Sequence, residues 1–484
     1  MKKTVNTSHV RSINQRAVLD AIYQLETTSR AELARILNMS KPSMADNVAD
    51  LLEIGIIREI GEGACSKGGG RKPVLLSFCD NFKYIIAMDF HYNNSLFALS
   101  NLKGEILNEF TIHQTPMSDF HSWARMCINA VAMLMSAQNI TNDDLAAIAV
   151  SAPGILDIKE NHYIVSSKFG EFNVAYLEEQ LSQSFGAPIL IKNSTNAAAL
   201  GEFYYGAGMG CENMLYISCG QGVGAGLILG GKLYEGSHMA AGEFGYFVFP
   251  ETDSFTGGDA VQGGAAGRCA ADGGAAGGRS ADGGSADGGS AGGRSADGGA
   301  AAGRSADGGA AGGRSADGRA ADAGFAAGKE AGFQSASVFT AWPKKHVRLE
   351  DRISIDSILD LINAHMPAEL ARGQSPEEGG IAFPRMIALW EEGNPYIGSF
   401  VDKISYELGC AVCCLQSVFD CQKIILGGEY LAFARQLIPA LQQLMDAHCP
   451  VPVSVAGSQM KDKGTVLGLI TTCREFYFTR ICSR

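Results

Sequence analysis

The stretch from Gly257 to about Gln334 constrains the fold of this chain more than any other feature. It consists mainly of Gly, Ala, Ser and Asp, and Arg-Ser-Ala-Asp-Gly recurs within it at Arg279, Arg294, Arg304 and Arg314. Such residues bury too little apolar surface to offset the entropy of ordering a backbone, so the tract 257–334 is expected to be a disordered loop expansion. A calcium-binding solenoid is the sharper alternative, but solenoid repeats need a large apolar residue at a fixed place in each unit, and none recurs here. The foldable chain therefore lies on either side of this insert.

What remains is too long for one ordinary core. The composition, 46% hydrophobic and 19% charged, is that of a soluble protein. No apolar run reaches the ~18 to 20 residues that cross a bilayer, and Met1 to Val10 lacks an apolar signal core. The expectation is a cytoplasmic chain with no membrane partner. Its thirteen cysteines are irregularly spaced, as expected of small buried hydrophobes in a reducing compartment. Cys410, Cys413 and Cys414 lie in an apolar stretch with no second Cys or His pair at zinc-site spacing, so packing is preferred to metal binding.

Charge is divided unevenly. The whole chain carries −12, yet residues 1–78 hold eleven Lys or Arg against eight Asp or Glu. Such an asymmetry is expected when a small DNA-reading module is attached to an acidic body.

The order of elements in 1–78 supports that reading. Ile13, Val18, Ile22 and Leu25 give an amphipathic helix over Ser12 to Leu25. Ser29-Arg30-Ala31-Glu32 is a capping box that starts a second helix with Leu33, Ile36 and Leu37 as its stripe. After the turn at Asn38-Met39, Ser40 caps a third helix, with Pro42 in its first turn, Val48, Leu51 and Leu52 inside, and Gly55 as its stop. Two short helices across a tight turn form a helix-turn-helix, and the second enters the major groove by its N-terminal residues. Ser40, Lys41, Ser43, Met44 and Asn47 are the candidates there, with Ser43 and Asn47 nearest the base edges. Ile56 to Ile60 and Pro73 to Leu76 read as strands of a wing whose tip carries Lys67, Arg71 and Lys72 among glycines, suited to phosphate contact.

In the body, Tyr84 to Phe90, Ser95 to Leu99 and Glu105 to Ile112 read as strands. A helix near Asp119 to Gln138 and a strand at Leu145 to Ser151 follow. Met214 to Ser218 and Gly224 to Leu229 begin a second set around a glycine-rich turn.

Several ordered segments resemble ROK-family repressors, particularly xylose-repressor-like members. In the head these are Ser29 to Ala34, Leu37 to Ser43 and Gly69 to Pro73. In the body they are Pro153-Gly154, Asn193 to Glu202, Gly220 to Gly226, Leu233 to Gly236, Ala241 to Gly245 and Ile424 to Gly428. The resemblance implies an α/β fold with an N-terminal winged helix-turn-helix (1–78), followed by an actin-like, ribonuclease-H-like sugar-kinase fold of two lobes (79–484). It also implies a sugar cleft between the lobes and assembly as a homodimer or tetramer.

Kinase chemistry is expected to be lost. Family kinases carry Asp-x-Gly-Gly-Thr after the first strand, because only glycine lets backbone N–H groups crowd a phosphate; here the chain reads Asp89-Phe90-His91-Tyr92-Asn93. The family's catalytic Asp is replaced by Ser194, which cannot take a proton near neutral pH, and general-base assistance is worth about 10²- to 10⁴-fold. The family's Glu-x-Gly-His motif ends here in Tyr246, which cannot replace imidazole as a zinc ligand, and the expected Cys-x-Cys motif is missing. Asn193, Ser194, Glu243 and Tyr246 are carried over as candidate contacts of a carbohydrate effector, with hydrogen-bonded structural roles as the alternative. The reading is a DNA-binding repressor of carbohydrate-utilisation genes that is not an enzyme and has no metal or cofactor. The alternative is an ATP-dependent hexose kinase with an added DNA-binding domain.

Overall fold

The computed structural model describes residues 7–63, 72–91, 94–113, 120–152, 154–157, 162–165, 174–250, 346–367, 370 and 380–483. The insert expected at 257–334 lies outside them.

The head contains α1 (Thr7–Leu25), β1 (Thr27–Ser29), α2 (Arg30–Ile36), α3 (Lys41–Ile54), β2 (Ile57–Glu62) and β3 (Val74–Phe78). Its antiparallel sheet has the order β1-β3-β2. The Ser29 hydroxyl caps α2 by accepting from the Glu32 N–H at 3.3 Å, while the Glu32 carboxylate accepts from the Thr28 hydroxyl. Ser40 caps α3, and Gly55 ends it in the left-handed region at φ 87°, where glycine alone pays no Cβ penalty. Val18, Leu19, Ile22, Leu33, Met44, Val48, Leu51, Ile56, Leu76 and Phe78 form the buried interior.

The body consists of two sheets with one topology. The first contains β4 (Tyr84–Phe90), β5 (Ser95–Asn101), β6 (Ile106–Ile112), β7 (Leu145–Ala152) and β10 (Ile189–Asn193); β8 (Ile155–Asp157) and β9 (His162–Val165) form a separate hairpin. The second contains β11 (Met214–Cys219), β12 (Val223–Leu229), β13 (Lys232–Tyr234), β16 (Lys423–Gly427) and β17 (Ser454–Gly457). Their orders, β10-β7-β4-β5-β6 and β13-β12-β11-β16-β17, each join an antiparallel three-strand meander to two parallel strands. Parallel strands covered on both faces must be apolar on both. In β4, Ile85 and Ala87 face one core while Ile86, Met88 and Phe90 face the other.

Helices α4 (Phe120–Ala137) and α5 (Val174–Phe185) cover the outer face of the first sheet. Helix α6 (Ser194–Tyr205) follows β10 directly. The second lobe adds α7 (Leu349–Ile353), α8 (Ile355–Ala364), α9 (Phe383–Glu391), α10 (Pro395–Phe419) and α11 (Ala434–His448). Cys410, Cys413 and Cys414 lie on α10, where the Cys413 thiol packs against Leu444 and Met445 of α11.

The last helix, α12 (Gly464–Cys482), returns to α6 and to the inner face of the first sheet. It lies so close to α6 that a methyl on Gly201 would overlap the Gly464 carbonyl, and one on Gly468 the Ala197 carbonyl. The buried interior of the head continues without a break into α12 through Leu469, Ile470, Tyr477 and Phe478. Strands β14 (Val248–Pro250) and β15 (His346–Arg348) pair antiparallel, with Val248 opposite Arg348 and Pro250 opposite His346.

Candidate nucleic-acid interface and effector cleft

The exposed N-terminus of α3 presents Ser40, Lys41 and Pro42, with Ser43 half-buried behind them. Two expected groove contacts are corrected. Met44 is 1% exposed and packs in the head interior, and Asn47 is 4% exposed, its amide donating to the Ser43 carbonyl at 2.7 Å. The inner stripe of α3 begins at Met44, and the 3.6-residue period carries it through Asn47, Val48 and Leu51. Ala45 and Ala49 are the exposed apolar positions instead, small enough to let the helix approach a groove wall. Lys72 lies two residues before the return strand β3 and pairs with Glu62 at 3.6 Å. Lys67 and Arg71 lie outside the described residues.

At the end of β4, Asp89 is fully buried, accepting from the Ser151 hydroxyl at 2.6 Å, and the same hydroxyl accepts from the Phe90 N–H. Its second oxygen meets His91 Nε2 at 2.8 Å. The Asp89 charge pushes the imidazole up to about 9, and Glu429 and Asp462 act in the same direction. Thus an imidazole bonded to the buried Asp89 stands at the residue expected to be glycine in the resembling kinases. Tyr92 and Asn93 lie outside the described residues.

At the glycine-rich turn from Gly220 a different residue stands close. Gly220 ends β11 with no free space above it, because a Cβ there would overlap the Glu429 carboxylate. Glu429 follows Gly428, whose φ of 78° turns the chain out of β16. A carboxylate standing over Gly220 opposes by its charge any anion brought to this turn. Sequence reasoning missed Glu429; its only signal was an acidic residue directly after the Ile-Ile-Leu-Gly-Gly segment.

Asn193 is the N-cap of α6. Its oxygen accepts from the Asn196 N–H at 3.0 Å and its amide donates to the Gly154 carbonyl at 3.1 Å. Ser194 is the first helical residue, and Thr195 lies against Gly224 of β12. Next to Asn193, Lys192 pairs with Glu235 at 2.8 Å.

Glu235 precedes Gly236, which lines a cavity of about 640 Å³. The cavity lies under the chain from Gly236 to Phe247, against Leu215, Leu227 and the C-terminal end of α10. Glu243 is one of the few polar groups in its largely apolar wall. Burial and then the charge of Glu350 push its carboxyl up to about 7.

Glu350 was not anticipated, because the insert separates it from Glu243 in sequence. It lies beside Gly245 and within 3.4 Å of the Val223 N–H. Tyr246 sits in a short 3-10 turn, Phe244–Tyr246, with the Arg348 guanidinium 5.2 Å from its ring centroid. The candidate contacts thus divide into an Asn193–Ser194 end, fixed by capping, and Glu243 on the cavity wall, with the charge of Glu350 acting on it.

These observations define a class: a winged helix-turn-helix joined to a two-lobed α/β fold of the sugar-kinase type. Residues 85–275 match the model of the ROK family. It is 28% identical over 241 residues to the xylose repressor of Caldicellulosiruptor bescii, a match covering 50% of this chain and 60% of that repressor. A crystal structure of a ROK family transcriptional regulator, a homologue of the E. coli MLC protein, superposes with TM-score 0.66 at 18% identity. That superposition covers 98% of this chain and 99% of the regulator. A ROK glucokinase from Streptomyces griseus, solved with glucose and AMPPNP, superposes with TM-score 0.52 at 17% identity over 81% of this chain and 99% of the kinase. At these identities both structures speak for the fold. Among the described residues no helix is long and apolar enough to cross a membrane.

Proposed function

We propose that this protein is a DNA-binding transcriptional repressor of carbohydrate-utilisation genes whose ROK domain senses a sugar and has no kinase activity. The observation that carries the reading is the exposed, capped end of α3 at Ser40 and Lys41, joined to a sugar-kinase-like fold whose Gly220 turn is faced by the Glu429 carboxylate. Residues 1–78 serve as the DNA-binding domain and 79–484 as the effector domain. Ser40, Lys41 and Ser43 face the operator, with Lys67, Arg71 and Lys72 on flanking phosphates. The effector is a carbohydrate bound near Asn193, Ser194, Glu243 and Tyr246, and the cavity beside Glu243 gives it an apolar flank. No cofactor or metal takes part. The protein acts in the cytoplasm as a homodimer or tetramer, because paired half-sites call for paired heads.

The test is binding of the full-length protein to its own upstream DNA and to a scrambled duplex at one stated salt concentration, followed by a panel of pentoses and hexoses. Preference for the upstream duplex, weakened by one sugar, supports the reading. Equal weak binding to both duplexes removes it and returns the kinase reading.

A further inference from the structure

The buried cation Arg474 joins three elements that the proposed function treats separately. It lies on α12, is 3% exposed, and donates from Nη1 to the Tyr23 hydroxyl of α1 at 2.6 Å and to the Tyr205 hydroxyl of α6 at 3.0 Å. Its guanidinium carbon also stands 4.7 Å from the Tyr23 ring centroid and 5.6 Å from that of Tyr204. Tyr23 in turn donates to the Lys103 carbonyl at 3.1 Å, and Lys103 Nζ donates to the Tyr23 carbonyl at 2.9 Å.

A guanidinium removed from water is costly unless its donors are satisfied; here Nη1 is satisfied by two tyrosine hydroxyls that must be correctly placed, while Nε is buried without a hydrogen-bond partner. The arrangement therefore fixes geometry more than it neutralises charge. Glu475, its nearest carboxylate, is 3.6 Å from Nη2 and is shared with Arg16 of α1.

We infer that Tyr205, Arg474 and Tyr23 form the mechanical link through which the effector cleft sets the position of the DNA-reading head. Helix α6 begins at Asn193 and Ser194 in the cleft and ends at Tyr205, about 18 Å away at 1.5 Å per residue. It cannot slide freely over α12, because backbone meets backbone at Gly201–Gly464 and Ala197–Gly468. A shift of the α6 N-terminus on effector binding is carried as a rigid-body movement to Tyr205, and from there by Arg474 to Tyr23 on α1. Packing of Tyr23 edge-to-face on Phe78 and Phe478 passes that movement to the wing sheet. These are positioning residues, since none touches DNA or effector. The regulatory consequence rests on the repressor reading; the mechanical link does not.

The test uses the full-length chain with Tyr205→Phe, Tyr23→Phe and the double variant, each of which removes a hydroxyl and keeps its ring. Two readouts are taken: amide hydrogen exchange across Thr7–Leu25, and affinity for the upstream duplex with and without sugar. Tyr205→Phe is expected to speed exchange in α1 by about fivefold or more and to reduce the sugar-dependent change in DNA affinity by a similar factor, with the double variant no worse than the stronger single one. Unchanged α1 exchange in Tyr205→Phe overturns the link, as do fully additive effects of the two substitutions. If the wild type shows no preference for the upstream duplex, the repressor reading falls, and the exchange data alone still decide the link.

Discussion

The Glu429 carboxylate closes the space over Gly220, leaving no room there for even a methyl group. A glycine in that loop is useful to a kinase only if its backbone is open to a phosphate, and here a negative charge of the chain itself lies on it.

Placing a carboxylate at Ser194 is therefore not expected to confer catalysis. Ser194→Asp should show no ATP-dependent phosphorylation of xylose or glucose above background in an ADP-release assay, because Glu429 and the His91–Asp89 pair remain in place. Turnover by the wild type would contradict the non-enzymatic reading outright.

Substitutions in α3 should separate two kinds of loss. Lys41→Ala is expected to weaken binding to every duplex alike and to lower the salt slope by about one unit, as loss of one phosphate contact does. Met44→Ala removes a buried side chain and should cost about 2–5 kcal/mol, seen as a lower urea midpoint and a melted head. A Met44→Ala protein of normal stability with altered base preference would return that residue to the groove.

Glu243 should give stability a pH dependence of definite sign. Its carboxyl is raised to about 7, so the folded chain keeps this proton where the unfolded chain, at about 4.5, has lost it. The group's stabilising contribution is complete below the unfolded value and disappears as pH rises through 7. Thermal midpoints measured from pH 4.5 to 8 should fall less steeply for Glu243→Gln than for the wild type, and parallel curves would count against the buried carboxyl.

Two helix glycines should respond in opposite directions to alanine. Gly398 in α10 has open space around it, so Gly398→Ala should gain about 0.5–1 kcal/mol from reduced backbone entropy in the unfolded chain. Gly468→Ala meets the Ala197 carbonyl, and overpacking of about 1–3 kcal/mol or more outweighs that gain. Thermal melts of the pair would show whether the α6–α12 contact is as close as described.

Much of the fold was legible because its strands are buried on both faces. The stretch from Tyr84 to Phe90 is apolar apart from Asp89, and its limits as a strand agree with the sequence reading to the residue. Strand β1 escaped notice because Thr27-Thr28-Ser29 has no apolar run; its place depends on pairing with β3, far along the chain. The cap at Ser40 located the start of α3 correctly but said nothing about which face turns inward, so Met44 and Asn47 were misplaced. Glu350 and Glu429 were invisible for another reason: each acquires its role from a loop more than a hundred residues away.

The antiparallel clasp of β14 and β15 has a consequence for how the chain could be divided. Val248 and Arg348 stand opposite one another, and β11 pairs with β16 across the same interruption. Strand pairing and a shared core therefore join 174–250 to 346–483 on their own account. Two separately expressed polypeptides, 1–250 and 346–484, should find each other and reconstitute the native assembly, so this protein is naturally suited to fragment complementation.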